Sequence, residues 1–360
     1  MKNVLFWVTD VDLLLEGAPK VAGIQLQQSI WAKTFIKNGW KSFCLTTDKT
    51  ESVNIYGIHF IPYHIPKNFV KCHLGMLAEL YLMCKILTRI KPSVIVCRGS
   101  GSYLFFLSKL SKILGIKLVF FSASDVNFIK GKDIINSSNL YTYMYRKSIH
   151  NIDYFITQNV LQSTTLNKTY GKSSMTMFNI WPSNSRTNDV EKLYDAIWVA
   201  NFRKLKRAEW FLSLAKNNPK QRFIICGGPL DRTYYEQIER MSLDIPNLVF
   251  AGPRSLNDTS TLISQSKMLI CTSEYEGFPN TFIQAWAVGV PVISTVDPSS
   301  VISNYDLGIH ICSEQELHQS FVQIMEHESI LYSKSYNIKN YFISHHSADF
   351  AYNKLINYIQ

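Results

Sequence analysis

Ser273-Glu-Tyr-Glu-Gly-Phe-Pro-Asn-Thr-Phe-Ile-Gln-Ala-Trp-Ala-Val-Gly-Val-Pro-Val-Ile-Ser294 follows the apolar run Lys267-Met-Leu-Ile-Cys271. The apolar run reads as a buried strand. Gly277 and Pro279 break the chain after it. Asn280 or Thr281 then caps a helix that Gly289 ends, and Val290–Ile293 forms a second short strand. The unit is strand–turn–helix–strand, with Glu276 at the helix mouth. A helix N-terminus attracts anions, because its first N–H groups lack partners and its dipole end is positive. The sequence leaves open whether that mouth holds a ligand or its own carboxylate.

The same alternation extends in both directions. Upstream within the second half run strand 196–200, helix 207–216, strand 223–226, helix 232–242, strand 248–251, helix 257–265 and strand 268–271. The first half alternates likewise: strands at 4–8, 42–46, 94–97, 118–122 and 154–157, with helices at 23–38, 74–90, 103–114, 136–149 and 161–169 between or after them. Near-continuous apolar strands alternating with helices imply parallel sheets covered on both faces. The polar stretch Trp181–Val190 fits neither period and reads as a linker. The expected organisation is a domain over 1–185, a second over 186–340, and a C-terminal helix over 341–360 that packs back on the first. Open α/β sheets bind ligands beyond the carboxyl ends of their strands, so two facing domains would place a ligand in a central cleft.

The composition fits a folded protein. Of 360 residues, 46% are hydrophobic and 18% charged. Seven scattered cysteines without Cys-x-x-Cys spacing read as reduced, buried thiols. Asp10 and Asp12 interrupt the first apolar stretch too early for a signal peptide or a membrane span, and no other segment is long and apolar enough. The expectation is a cytoplasmic chain. The net charge of +10 is uneven: residues 1–185 hold 21 Lys and Arg against 9 Asp and Glu, and the remainder is nearly neutral. A basic first half suits a phosphate-rich surface. The Asp10-Val-Asp12 motif resembles a metal-binding Asp-x-Asp but follows the wrong strand, and nine histidines show no metal-ligand spacing.

Three stretches lie at carboxyl ends of strands expected in the second domain. Ala200-Asn-Phe-Arg-Lys-Leu-Lys-Arg207 supplies basic and amide side chains. Cys226-Gly-Gly-Pro229 permits close backbone approach. Glu274–Thr281 supplies a helix mouth. Cations, free N–H groups and a nearby carboxylate together describe a site for a diphosphate and for hydroxyls, as in a nucleotide sugar.

Residues 276–293 also resemble the donor-site signature of family-4 glycosyltransferases, which are retaining, metal-independent enzymes of the GT-B fold. Trp198–Phe211 resembles that family's strand, basic loop and helix, and Val21-Ala-Gly-Ile-Gln25 its first glycine loop. Val119–Phe128 and Thr157–Gln162 resemble bacterial capsule, O-antigen and exopolysaccharide members. The likeness is strong over 195–295 and looser over 1–180. It implies two doubly wound Rossmann-like domains facing a central cleft. By position, Glu276 would meet donor-sugar hydroxyls and Asp125 would lie near the reacting centre. Gly277 and Phe278 would offer N–H groups to the diphosphate, beside Pro279, Asn280 and Thr281. Lys206 would neutralise the diphosphate, Gly23 would admit the ligands, and Gly228 and Arg254 would line the nucleotide side.

Two positions depart from the family pattern. Gln284 replaces the second glutamate, and neutral acceptors form weaker bonds, which implies donor affinity lower by about tenfold. Asn201 replaces an arginine, and Arg203 is the nearest replacement charge. The implied activity is transfer of a sugar from a nucleotide-diphosphate donor to a saccharide acceptor, lipid-linked, at the anionic inner leaflet, with retention and with neither cofactor nor nucleic acid. A GT-B-fold epimerase or a catalytically silent binding subunit remain the alternatives.

Overall fold

The computed structural model describes residues 2–15, 23–65, 75–133, 135, 138–182, 190–276, 278–327 and 329–360. The chain forms two units. One comprises Met1–Phe178 with Ala351–Gln360, the other Asn179–Phe350.

In the first unit the sheet strands are β1 Asn3–Trp7, β2 Lys41–Thr46, β3 Val53–Ile55, β4 Ile58–Pro62, β5 Val94–Arg98, β6 Lys117–Phe121, β7 Tyr154–Thr157 and β8 Met175–Thr176. Their order is β3-β4-β2-β1-β5-β6-β7-β8. Every pairing is parallel except β3 with β4. That hairpin is absent from the sequence reading. Tyr56 and Gly57, both with positive φ (51° and 83°), make its two-residue turn, and the Asn54 side chain accepts from the Gly57 amide at 3.0 Å. Positive φ at both turn positions matches the right-handed twist of the flanking strands.

The second unit holds β9 Tyr194–Val199, β10 Phe223–Cys226, β11 Leu248–Gly252, β12 Ser266–Cys271, β13 Val292–Ser294 and β14 Gly308–His310, all parallel. Their order is β11-β10-β9-β12-β13-β14. This is the doubly wound arrangement in which the chain winds one way from the central strand and then returns to wind the other way. The reversal falls between β9 and β12. The inner strands are buried on both faces: all of β10, Ala196–Trp198 of β9 and Met268–Ile270 of β12. That burial explains why their sequences are continuous apolar runs.

The unit boundaries differ from the sequence expectation. Trp181 is not linker. Its N–H donates to the His346 carbonyl at 2.9 Å, and its own carbonyl accepts from the Ala348 amide at 3.1 Å. The expected C-terminal helix is present over Ala348–Ile359, while residues 341–345 of the expected segment end a separate helix, Ser329–His345. In the last one, the Tyr352 hydroxyl accepts from the Trp40 indole at 2.9 Å and the Tyr352 ring meets Phe35 edge-on at 5.2 Å, both within the first unit.

Close backbone approach at the β9–β10 edge demands glycine at one position. A Cβ on Gly227 would lie 1.7 Å from the Ala200 carbonyl oxygen. Gly227→Ala must therefore push two strand ends apart. Urea unfolding should show a loss of at least about 2 kcal/mol, and a loss under about 0.5 kcal/mol would contradict this packing.

Candidate donor-phosphate site

The loops after β9 and β12 meet at the reversal point of the second sheet. After β9, the turn Lys204–Lys206 leads into helix Ala208–Asn217 through Arg207, which adopts a positive φ of 47°. After β12, Thr272 and Ser273 are buried. A set of hydrogen bonds joins the two loops. The Trp198 indole donates to the Thr272 hydroxyl at 3.0 Å, and that hydroxyl donates to the Lys206 carbonyl at 2.6 Å. The Glu274 amide donates to the Leu205 carbonyl at 2.9 Å. The Arg207 guanidinium donates to the Thr272 carbonyl at 2.7 Å and the Ser273 carbonyl at 3.2 Å, and covers the Trp210 ring at 4.1 Å.

Upon this frame Lys206 pairs with Glu276. The Lys206 side chain is 8% exposed and that of Glu276 is 23% exposed. The Ser273 hydroxyl also donates to the same Glu276 oxygen at 3.2 Å. A lysine this enclosed needs a counter-charge, because desolvating a lone ammonium costs several kcal/mol.

The helix beyond, Asn280–Ala287, starts differently from expectation. Its N-cap is Pro279, and no side chain caps it. Asn280 and Thr281 lie within the first turn, so neither satisfies the leading N–H groups in the way a capping side chain would. The helix ends as expected ahead of Gly289, which has a φ of 73°. Gln284 lies one turn in, 6% exposed, and its Oε1 accepts no hydrogen bond among the described residues. An acceptor buried without a partner is costly, by about 1–3 kcal/mol.

The start of this helix is also tied to the chain's entry into the unit. Asn179 donates from its side chain to Asn280 Oδ1 at 3.1 Å. His346, fully buried, is 2.9 Å from the Asn179 carbonyl through Nδ1. Its ring lies 5.3 Å from Phe278 and 5.7 Å from Trp286. Burial lowers the His346 pKa to about 4, so the imidazole is neutral near pH 7 and Nδ1–H is the donor.

The other expected positions are distributed as follows. Asn201 is exposed and its Oδ1 accepts from the Gly228 amide at 3.3 Å. Arg203 is exposed, and its side chain makes no ion pair or hydrogen bond among the described residues, whereas Lys206 is enclosed and paired with Glu276. Arg254 is exposed beyond β11. Gly277 lies outside the described residues. In the first unit Gly23 opens helix Gly23–Lys37, and Asp125 opens the turn Asp125–Phe128 after β6, where only its backbone is described. Asp10 and Asp12 are held by threonines: Thr47 donates to Asp10 at 2.8 Å and Thr46 to Asp12 at 2.5 Å. Among the described residues no three His, Cys, Asp or Glu side chains gather to hold a metal ion. Sequence reading missed Arg207 and Thr272 as the joints of the loops, and Asn179 and His346 as supports of the helix. Arg207 was visible only as one more cation in a basic loop, and the other three carried no local signal.

Residues 194–327 match the family described as glycosyl transferases group 1. An 81-residue stretch is 33% identical to the Vi polysaccharide biosynthesis protein VipC/TviE of Salmonella typhi, covering 22% of this chain and 14% of that protein. The chain thus matches only a small part of that relative's length. Among solved structures, a glycosyltransferase from Rickettsia africae superposes over 99% of this chain and 97% of its own, with a TM-score of 0.75 at 12% identity. The pneumococcal O-GlcNAc transferase GtfA, solved with UDP and GlcNAc, covers 99% of both chains with a TM-score of 0.70 at 11% identity. The fold is that of GT-B glycosyltransferases, with two Rossmann-like domains, and the match to the group 1 family lies within the second unit.

The Lys206–Glu276 pair is partly enclosed, so its two members should be energetically coupled. In a double-mutant cycle of Lys206→Met and Glu276→Gln, each single change should destabilise by about 1–3 kcal/mol, with a coupling of about 1–2 kcal/mol. Additive effects within about 0.3 kcal/mol would show that the two side chains act independently.

Proposed function

We propose that this chain is a family-4, retaining glycosyltransferase. It moves a sugar from a nucleoside-diphosphate donor to a lipid-linked saccharide acceptor in surface polysaccharide synthesis. The observation that carries the reading is the Lys206–Glu276 pair beside an uncapped helix mouth, at the reversal point of the second sheet. A diphosphate is the ligand that such a place suits. It brings negative charge to Lys206 and oxygens to the leading N–H groups of helix Asn280–Ala287. Lys206 then exchanges its carboxylate for phosphate, and Glu276 turns to accept from sugar hydroxyls. Gln284, buried with an empty acceptor, suits a ribose hydroxyl. As the sugar–phosphate bond breaks, charge grows on the departing diphosphate beside Lys206 and the helix mouth, which lowers the barrier. Retention and metal independence rest on the resemblance of residues 276–293 to the family signature. The polysaccharide context draws support from the Salmonella relative, and UDP as the first donor base to try from GtfA.

A membrane-side location at the cytoplasmic face fits the first unit. Helix Gly75–Ile90 exposes Leu77 and Tyr81 with Lys85 and Arg89 beyond them. Helix Leu104–Ile113 exposes Ile113 with Lys109 and Lys112. Apolar side chains flanked by cations suit an anionic lipid surface, where each cation contributes about 1 kcal/mol. No helix among the described residues is long and apolar enough to cross a membrane.

Thermal unfolding with UDP, GDP, ADP, CMP and dTDP tests the donor site. A ligand at about 100 times its dissociation constant stabilises by about 2.7 kcal/mol, a rise of several degrees. One nucleotide should give this rise, and Lys206→Ala should abolish it. Absence of a shift with all five would count against the donor reading. Co-sedimentation with vesicles tests the surface. Binding should require anionic lipid, weaken in high salt, and fall with Leu77→Glu. Equal binding to zwitterionic vesicles, or none to either, would reject the charge-based docking.

A further inference from the structure

Helix Asn280–Ala287 has no capping side chain, yet its first residues are held in place. The holding groups come from two distant parts of the chain. Asn179 stands where the chain enters the second unit, and His346 stands in the break between the last two helices. The His346 Nδ1–H donates to the Asn179 carbonyl at 2.9 Å, and the Asn179 side chain donates to Asn280 Oδ1 at 3.1 Å. The His346 ring faces Phe278 at 5.3 Å, and Phe278 meets Trp286 of the same helix edge-on at 6.1 Å. The backbone bonds of Trp181 to His346 and Ala348 fix the two chain segments to each other. Residues on both sides of Pro279, Phe278 and Asn280, are therefore gripped from one side.

We propose that His346 and Asn179 are positioning residues for the helix mouth at Phe278–Asn280, setting the direction of the amides that receive the donor's diphosphate. The proposal rests on the donor reading only for what the mouth binds. Neither side chain is required to touch the ligand. An anion-binding mouth works by fixed dipoles, so a mouth free to tilt would have to be reordered by its ligand, at a cost in affinity. Asn179 and His346 hold the mouth through the Asn280 side chain and the Phe278 ring, and not through a side-chain cap on its N–H groups.

The test compares His346→Ala, Asn179→Ala, His346→Asn and the neighbouring control His345→Ala, each measured where circular dichroism shows it folded. His346→Asn retains a donor near the position of Nδ1. Hydrogen exchange is followed at the amides of Phe278, Asn280, Thr281 and Phe282, and UDP affinity is measured by calorimetry. His346→Ala and Asn179→Ala should speed exchange at those amides by about tenfold while β9 and β12 stay protected, and should weaken UDP by about tenfold. His346→Asn should recover most of both losses, and His345→Ala should match the parent. A variant that only loses thermal stability, with exchange at the mouth and UDP affinity unchanged, overturns the proposal. Should the parent bind no nucleotide while the mouth still loosens in His346→Ala, the donor reading falls and the positioning role stands. Should UDP bind through Lys206 while His346→Ala leaves mouth and affinity intact, the positioning role falls alone.

Discussion

The hydroxyl of Thr272 is the joint on which the second unit's functional edge depends. It accepts from the Trp198 indole and donates to the Lys206 carbonyl, so one buried oxygen bridges a core strand and a loop. With the Arg207 guanidinium on the Thr272 and Ser273 carbonyls, it fixes where the Lys206 and Glu276 side chains emerge. The doubly wound topology makes such a joint necessary. At the reversal of winding the loops after β9 and β12 leave toward opposite faces of the sheet, and without cross-links they would splay. Hydrogen bonds to buried carbonyls are costly to leave unmade, so the arrangement resists local opening.

The two departures from the family pattern have different physical meanings. Asn201 is engaged: its side chain accepts from the Gly228 amide and so ties the loop after β9 to the loop after β10. An arginine there would have a cation in place of that acceptor. Gln284 is unengaged at Oε1 in spite of its burial. A glutamate in that setting would carry a desolvated charge. The amide avoids that cost, and as a neutral acceptor it bonds a hydroxyl more weakly than a carboxylate would.

Period and punctuation made most of the fold legible. The apolar runs that became β9, β10 and β12 announced themselves because both faces of each strand are covered. The helix Asn280–Ala287 was visible between Pro279 and Gly289. What stayed hidden was encoded in few residues or over long separations. The β3–β4 hairpin depends on one Tyr-Gly turn between strands of three and five residues, too short for a period to show. The capping expectation failed because Pro279 occupies the cap and Asn280 turns its side chain to Asn179. Trp181 looked like linker because its partners, His346 and Ala348, are more than 160 residues away in sequence. At the site, residue types announced Lys206 and Glu276, but nothing local could say that they would pair with each other.

Glu276, four residues before the helix Asn280–Ala287, pairs with Lys206. Such a pair stores both charges in a condition that a ligand can exchange at modest cost. A lysine enclosed alone would carry an uncompensated desolvated charge, and a carboxylate alone beside an anion site would repel a diphosphate. Paired, each neutralises the other; under the proposed function a donor would offer phosphate to one and hydroxyls to the other. The partial exposure of Glu276, against the closer burial of Lys206, makes the carboxylate the member that can move. The lysine is fixed by a frame of buried hydrogen bonds, whereas the glutamate adjoins a helix start supported by Asn179 and His346. On the proposed function, selectivity for a ligand with both phosphate and hydroxyls would follow from the exchange itself, since an anion alone would release Glu276 without giving it a partner.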